Sequence, residues 1–212
     1  MKYIIMCGGR YRDWKTPKQL LKVKGEAIVA RTIRLLREAG VEDITISAND
    51  PRFDAFGVPV LHHDNEYYFR NSKSADGYWC NAFYPMDEPA CYVFGDVVFS
   101  PAAIRRIVVT RTDSIEFFAS AKPFAPEYPK KWVEGFAFKV TDQARFHESI
   151  RRMKEIGHTC WRSPLSWDLW ALIRGRRIDI DDYKVDYTVI NDYTCDIDHP
   201  QEIKELEKRI PR

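Results

Sequence analysis

Short apolar runs alternate with amphipathic stretches along this chain. Tyr3-Ile4-Ile5-Met6 is brief and wholly apolar, the pattern of a buried strand. Ile28, Val29, Ile33, Leu35 and Leu36 recur at helical spacing and predict a helix over Ala27–Ala39. Arg31, Arg34 and Arg37 mark its wet side, and Gly40 supplies a stop. Ile44–Ala48 reads as the next strand, broken by Asn49-Asp50-Pro51, and Val58–Leu61 as another. The polar stretch Glu66–Asp76 reads as a loop, and a helix is expected over Gly77–Tyr84 before Pro85. Cys91–Phe94 is an apolar strand that ends in Gly95-Asp96. Pro101–Val109 reads as a helix with proline in its first turn. Ile115–Ser120 and Trp132–Val140 follow as strands, and Asp142–Ile156 as a helix capped by Asp142. Ser166–Ile173 is a shorter helix with Ser166 as its cap, and Tyr187–Val189 a short strand. Cys195-Asp196-Ile197-Asp198 leads into a last helix, Pro200–Lys208.

This alternation predicts an α/β fold, a three-layer αβα sandwich around a mostly parallel mixed sheet. Ligands of such sheets bind outside the carboxyl ends of the strands. The Gly8-Gly9 turn lies at such an end, and so does Asp96. Asp198 follows another short apolar segment. Three polar candidates from distant parts of the chain are thus expected at one edge.

The chain has 212 residues, and one domain, 1–212, is the expectation. The net charge of +2 excludes a broad electrostatic footprint for nucleic acid or an acidic membrane, so any positive site is local. The five cysteines are scattered, without zinc-ligand spacing, and read as buried thiols in a reducing cytoplasm. Neither a signal peptide nor a membrane span is expected, because the apolar runs are too short. A homodimer stays open.

Gly8-Gly9 is followed by Arg10, Arg12, Lys15 and Lys18. Glycines admit close approach of backbone N–H groups to a phosphate, and the cations neutralise it. Neither a P-loop nor a dinucleotide G-x-G-x-x-G is present. A glycine turn with a solvated basic loop is the plain alternative.

The segment MCGGRYRDWKTPKQLLKVKGEAIVARTIRLLREAGVEDITISAND resembles the N-terminal half of nucleotidyltransferases with the nucleotide-diphospho-sugar transferase (Rossmann-like) fold. The Gly-to-Lys spacing is similar to that of the MobA-like branch, and Pro17-Lys18-Gln19-Leu20 looks like cytidylyltransferases. The resemblance implies that Cys7, Gly8, Gly9 and Tyr11 hold a nucleotide's phosphates, with Lys18, Arg10 and Arg12 as catalytic cations. On MobA-like spacing the family's loop arginine falls on Asp13, so that charge passes to Arg10 or Arg12.

Asp96 matches the family's metal-binding aspartate after the central strand. Magnesium keeps most of its waters and needs only one or two carboxylates. Asp196-Ile197-Asp198-His199-Pro200-Gln201-Glu202-Ile203 is similar to the closing D-I-D-x-P-E-D-L segment, which makes Asp198 the second metal residue and Asp196 its substitute. The plain reading has Asp198 capping the last helix. The stretch 62–76 resembles phosphocholine cytidylyltransferases, which assigns base contacts to Asn71, Ser72 and Ser74. His62-His63 is not read as a metal pair, since neighbours on a strand face opposite ways. Trp161, Trp167 and Trp170 could box a quaternary ammonium, with plain core packing as the alternative. Lys130, Lys131 and Glu134 fall where the family often holds its second substrate, or form a solvated turn.

Together these imply a magnesium-dependent nucleotidyltransferase, with CTP favoured and a phospho-alcohol, sugar phosphate or phosphonate as acceptor. A MobA-like molybdenum-cofactor nucleotidyltransferase is the main alternative. A same-fold glycosyltransferase is disfavoured, because Gly95-Asp96-Val97-Val98 lacks the usual Asp-x-Asp. A non-catalytic nucleotide-binding protein is the third.

Overall fold

The computed structural model describes residues 1–8, 16–63, 78–157, 165–176, 178 and 186–210. A seven-stranded sheet is its centre. It is built from β1 (Lys2–Met6), β4 (Ile44–Ala48), β5 (Val60–His62), β6 (Ala90–Phe94), β8 (Ile115–Ala119), β9 (Gly135–Val140) and β10 (Thr188–Val189). Two small antiparallel pairs accompany it: β2 (Lys22–Val23) with β3 (Glu26–Ala27), and β7 (Val97–Val98) with β11 (Cys195–Asp196). The sheet order is β10-β8-β9-β6-β1-β4-β5. All neighbours pair in parallel except β9, which is antiparallel to both β6 and β8. The expected mostly parallel mixed sheet is therefore present.

The helices are α1 (Ile28–Glu38), α2 (Pro101–Val109), α3 (Gln143–Gly157), α4 (Ser166–Ile173) and α5 (Pro200–Arg209). Successive strand residues face opposite ways, and β1 shows the result. Tyr3 and Ile5 pack in one core with Ile33 and Leu36 of α1, Ile104 and Ile107 of α2, and Leu206 of α5. Ile4 and Met6 pack in a second core with Phe146 and Met153 of α3 and Leu169 and Trp170 of α4. Two helical layers thus sandwich the sheet.

Several expectations shift in detail. The helix expected over Gly77–Tyr84 is a short 3-10 turn, Tyr78–Ala82. Cys80 and Phe83 are both buried three residues apart, a spacing that suits three residues per turn. β9 starts at Gly135 rather than Trp132, because the ladder to β8 ends with Gly135 opposite Ala119. Ser166 does not cap α4; the Asp168 carboxylate accepts from the Leu165 N–H at 2.6 Å instead. Asp142 does cap α3, accepting from the Arg145 N–H at 3.0 Å. Trp167 and Trp170 are buried against Phe117, so they are core and not a ligand box; Trp161 lies outside the described residues. Cys7, Cys80, Cys91 and Cys195 are buried free thiols. Among the described residues no helix is long and apolar enough to cross a membrane.

Candidate active site

From β1 the chain continues one way along the sheet to β4 and β5, whereas β6 joins on the other side of β1. Such a reversal opens a crevice at the carboxyl ends of the two central strands, where α/β proteins bind ligands. The residues at that crevice are Cys7 and Gly8 after β1, and Gly95 and Asp96 after β6. The Gly95 N–H donates to the Met6 carbonyl at 3.1 Å, which sets Asp96 beside the end of β1.

Asp198 reaches the same place through β11. Cys195 and Ile197 are sealed in the core, and a period of two then sends Asp196 and Asp198 to the opposite face together. β11 pairs Asp196 with Val97, and the Ile197 N–H donates to the Asp96 carbonyl at 3.1 Å. The plain reading of Asp198 as a helix cap is not what is found. Glu202 reaches back to accept from the Asp198 and His199 N–H groups at 2.7 and 3.0 Å, so the Asp198 carboxylate is left for other partners.

Those partners are two lysines. Lys18 opens a single 3-10 turn, Lys18–Leu20, between buried Pro17 and buried Gln19. Its Nζ lies 3.6 Å from Asp96 Oδ2 and 3.5 Å from Asp198 Oδ1. Lys130 was read as a substrate-holding residue or part of a solvated turn. Its side chain is only 4% exposed, and it contacts Glu134 Oε1 at 2.7 Å, Asp198 Oδ2 at 2.9 Å and Glu202 Oε2 at 3.7 Å, besides an ion pair to Asp196. Glu134 is held in turn by the Trp132 indole N–H at 3.1 Å and the Asp196 N–H at 3.2 Å.

Carboxylate oxygens of Glu134, Asp196 and Asp198 gather within 4.8 Å of one another, as in a cation site. Lys130 already sits against all three. Sequence reasoning missed this centre. Its one visible signal was the Lys130–Glu134 spacing in a loop that also carries Tyr128 and Trp132.

The charges follow from this packing. Burial pulls the Lys18 ammonium down, but the charges of Asp96, Asp198 and Asp196 outweigh it and leave its pKa above the ordinary value. The Asp96 carboxyl is pushed up by desolvation and by Asp196 and Asp198, with Lys18 opposing. Its side chain keeps 32% exposure, so it is recessed rather than sealed. Burial pushes the Asp198 carboxyl up, but Lys130 and then Lys18 hold it below the usual range. Glu134 goes to about 9, through burial and the neighbouring Asp196. Lys130 remains an ammonium, its pKa raised by the charges of Asp196 and Glu134 against a burial penalty.

Asp96, Asp198 and Lys18 are therefore brought together. Cys7 is fully buried, its N–H donates to the Ser47 carbonyl at 2.8 Å, and burial pushes its thiol up. Gly8 is buried at the end of β1. Gly9, Arg10, Tyr11, Arg12, Asn71, Ser72 and Ser74 lie outside the described residues.

Solved structures share this fold across almost the whole chain. A Bacillus anthracis protein described as a glucose-1-phosphate thymidylyltransferase, solved with a sucrose, superposes with a TM-score of 0.58 at 17% identity, over 100% of this chain and 96% of that one. CMP:2-keto-3-deoxy-manno-octonic acid synthetase complexed with CTP gives 0.56 at 13%, over 98% of both chains. HddC from Yersinia pseudotuberculosis, complexed with GMP-PN, gives 0.51 at 14%, also over 98% of both. No curated protein matches the chain by sequence. The family model for the MobA-like NTP transferase domain matches residues 3–157, which include β1, Gly8, Gly9, Lys18, Asp96, Lys130 and Glu134. The chain belongs to the MobA-like NTP transferase family and is an enzyme of the nucleotidyltransferase type.

Proposed function

We propose that this enzyme transfers a nucleotidyl group, from CTP by preference, to a phosphorylated small molecule and releases pyrophosphate. The proposed unit is one nucleotidyltransferase domain, 1–212. The observation that carries the reading is that Asp96 and Asp198 both come within 3.6 Å of the Lys18 ammonium, at the carboxyl ends of the two central strands. The donor set fits a divalent cation. Asp96 and Asp198 offer hard carboxylate oxygens, which suit magnesium, and the group lies at the carboxyl ends of β1 and β6. Asp96 and Asp198 would hold that ion. When bound it supplies positive charge against the triphosphate and a template for its orientation.

The chain's own groups do the remainder. The backbone of Gly8 and Gly9 cradles phosphate oxygens, and Arg10, Arg12 and Lys18 neutralise charge that grows on them as the bond to the α-phosphorus breaks. An acceptor phosphate oxygen attacks that phosphorus in line, the α–β bridging oxygen leaves with pyrophosphate, and the enzyme forms no covalent bond. Positioning and fixed charge carry the rate. Lys130 keeps Asp198 oriented through Oδ2. Trp132, 54% exposed yet tied to Glu134, offers a flat surface at the rim for the acceptor's non-phosphate part.

CTP is favoured by the likeness of residues 17–20 and 62–76 to cytidylyltransferases, and the CTP-bound synthetase of the same fold agrees with it. The neighbour with GMP-PN makes GTP the second choice. A thermal-shift comparison of the four triphosphates with magnesium tests this. A ligand at about 100 times its Kd adds roughly 2.7 kcal/mol of stability. CTP is expected to give the largest shift. A larger shift with GTP reassigns the base, and no shift with any triphosphate removes the nucleotide from this site.

A further inference from the structure

Asp198 has two carboxylate oxygens, and each is engaged by a different lysine. Lys130 takes Oδ2 at 2.9 Å, the length of a strong charge-assisted hydrogen bond. Lys18 faces Oδ1 at 3.5 Å, and Asp96 Oδ2 at 3.6 Å, both longer than that class. The two lysines also differ in setting. Among the described residues, the Lys130 side chain is 4% exposed and touches four carboxyl groups, whereas Lys18 is 18% exposed and touches two. Lys130 is therefore a resident cation, and Lys18 is one that can leave.

We propose that Lys18 is an exchangeable occupant of the Asp96–Asp198 pair, which it gives up to a divalent cation, and that it then serves the nucleotide's phosphates. The proposal rests on the reading that Asp96 and Asp198 hold the metal. It adds that Lys18 and the metal compete for the same oxygens, because the other oxygen of Asp198 belongs to Lys130. Without a nucleotide, displacing Lys18 leaves its ammonium without a counter-charge, so the protein alone holds the cation weakly. Triphosphate oxygens give Lys18 a new partner, so cation and nucleotide strengthen each other's binding, and by linkage they do so equally.

The test uses Mn2+ as probe and the electron paramagnetic resonance of free Mn2+ as readout, with the whole protein and no nucleotide. Wild type, K18M, K18R, D96N and the K18M/D96N double variant are titrated. K18M is expected to bind Mn2+ about tenfold more tightly than wild type, a difference of about 1.4 kcal/mol. K18R, which keeps the competing charge, is expected to bind as weakly as wild type, and D96N is expected to abolish the gain of K18M. K18Q serves as a second neutral variant and is expected to match K18M. If K18M and K18Q bind Mn2+ no more tightly than wild type while D96N still weakens binding, the exchange is wrong and the metal reading stands. If Mn2+ binding is indifferent to D96N in every background, both fall.

Discussion

The Gly95 Cα is pressed so closely on Met6 that a Cβ built there would stand 2.3 Å from the Met6 carbonyl oxygen and 2.9 Å from Cys7 Sγ. The nearest atom is backbone of the central strand, which cannot rotate away. The contact fixes the distance between the ends of β1 and β6, and Asp96 is the next residue. G95A is expected to push these strand ends apart, lowering stability by about 1–3 kcal/mol, the usual range for overpacking. It should also lower turnover by more than the loss of folded protein explains. Urea unfolding beside activity per folded molecule checks both.

Lys130 predicts a different outcome. K130M removes a cation that touches Glu134, Asp196, Asp198 and Glu202 together. Stripping one partner from a buried ion cluster costs about 3–5 kcal/mol. Urea unfolding at pH 7 should show a loss of that order. A loss no larger than that of a solvent-exposed ion pair, under about 1 kcal/mol, would contradict the ion-cluster account.

Lys139 is a buried lysine with a different job. Its ammonium donates to the carbonyls of Ile107, Val108 and Thr110 at 2.7, 3.0 and 2.7 Å, closing the C-terminal end of α2. It lies opposite Cys91 and Glu116, early in β6 and β8, at the far edge of the sheet from Asp96. K139M is expected to cost about 1–3 kcal/mol through unsatisfied carbonyls. Activity per folded molecule should be unchanged, measured by unfolding and turnover on the same samples.

Much of this was legible in the sequence, for identifiable reasons. Cys91–Phe94 is a pure apolar run that ends in Gly-Asp, so both the strand and the position of Asp96 follow from local pattern. Cys195-Asp196-Ile197-Asp198 alternates with a period of two, which sends both aspartates to one face. Lys130 was not legible, because its burial depends on Asp196, Asp198 and Glu202, more than sixty residues away, and no local periodicity encodes them. The plain alternative for Asp198, a helix cap, fails for a related reason. The Pro200 start of α5 invites a cap, but Glu202 supplies it from inside the helix.

Glu134 gives stability a pH dependence. Its carboxyl titrates near 9 in the folded protein, against an ordinary value of 4.5. Between these values the folded state keeps a proton that the unfolded state releases, so this group's contribution is full below about 4.5 and is lost as pH rises toward 9. The wild type is expected to weaken from pH 6 to pH 9 more steeply than E134Q, which cannot titrate. Urea midpoints across that range check this, and parallel curves would contradict it.

The central claim is that Asp96, Asp198 and Lys18 hold a triphosphate and its metal for attack at the α-phosphorus. The most direct measurement is pyrophosphate release from each of the four triphosphates, with magnesium and a panel of phosphorylated acceptors, in wild type and D96A. The expected result is release by the wild type, greatest with CTP, and a loss in D96A of about 100-fold or more, the scale for removing one electrostatic stabiliser. An absence of release with every triphosphate and acceptor, or a D96A variant as active as wild type, would contradict the account.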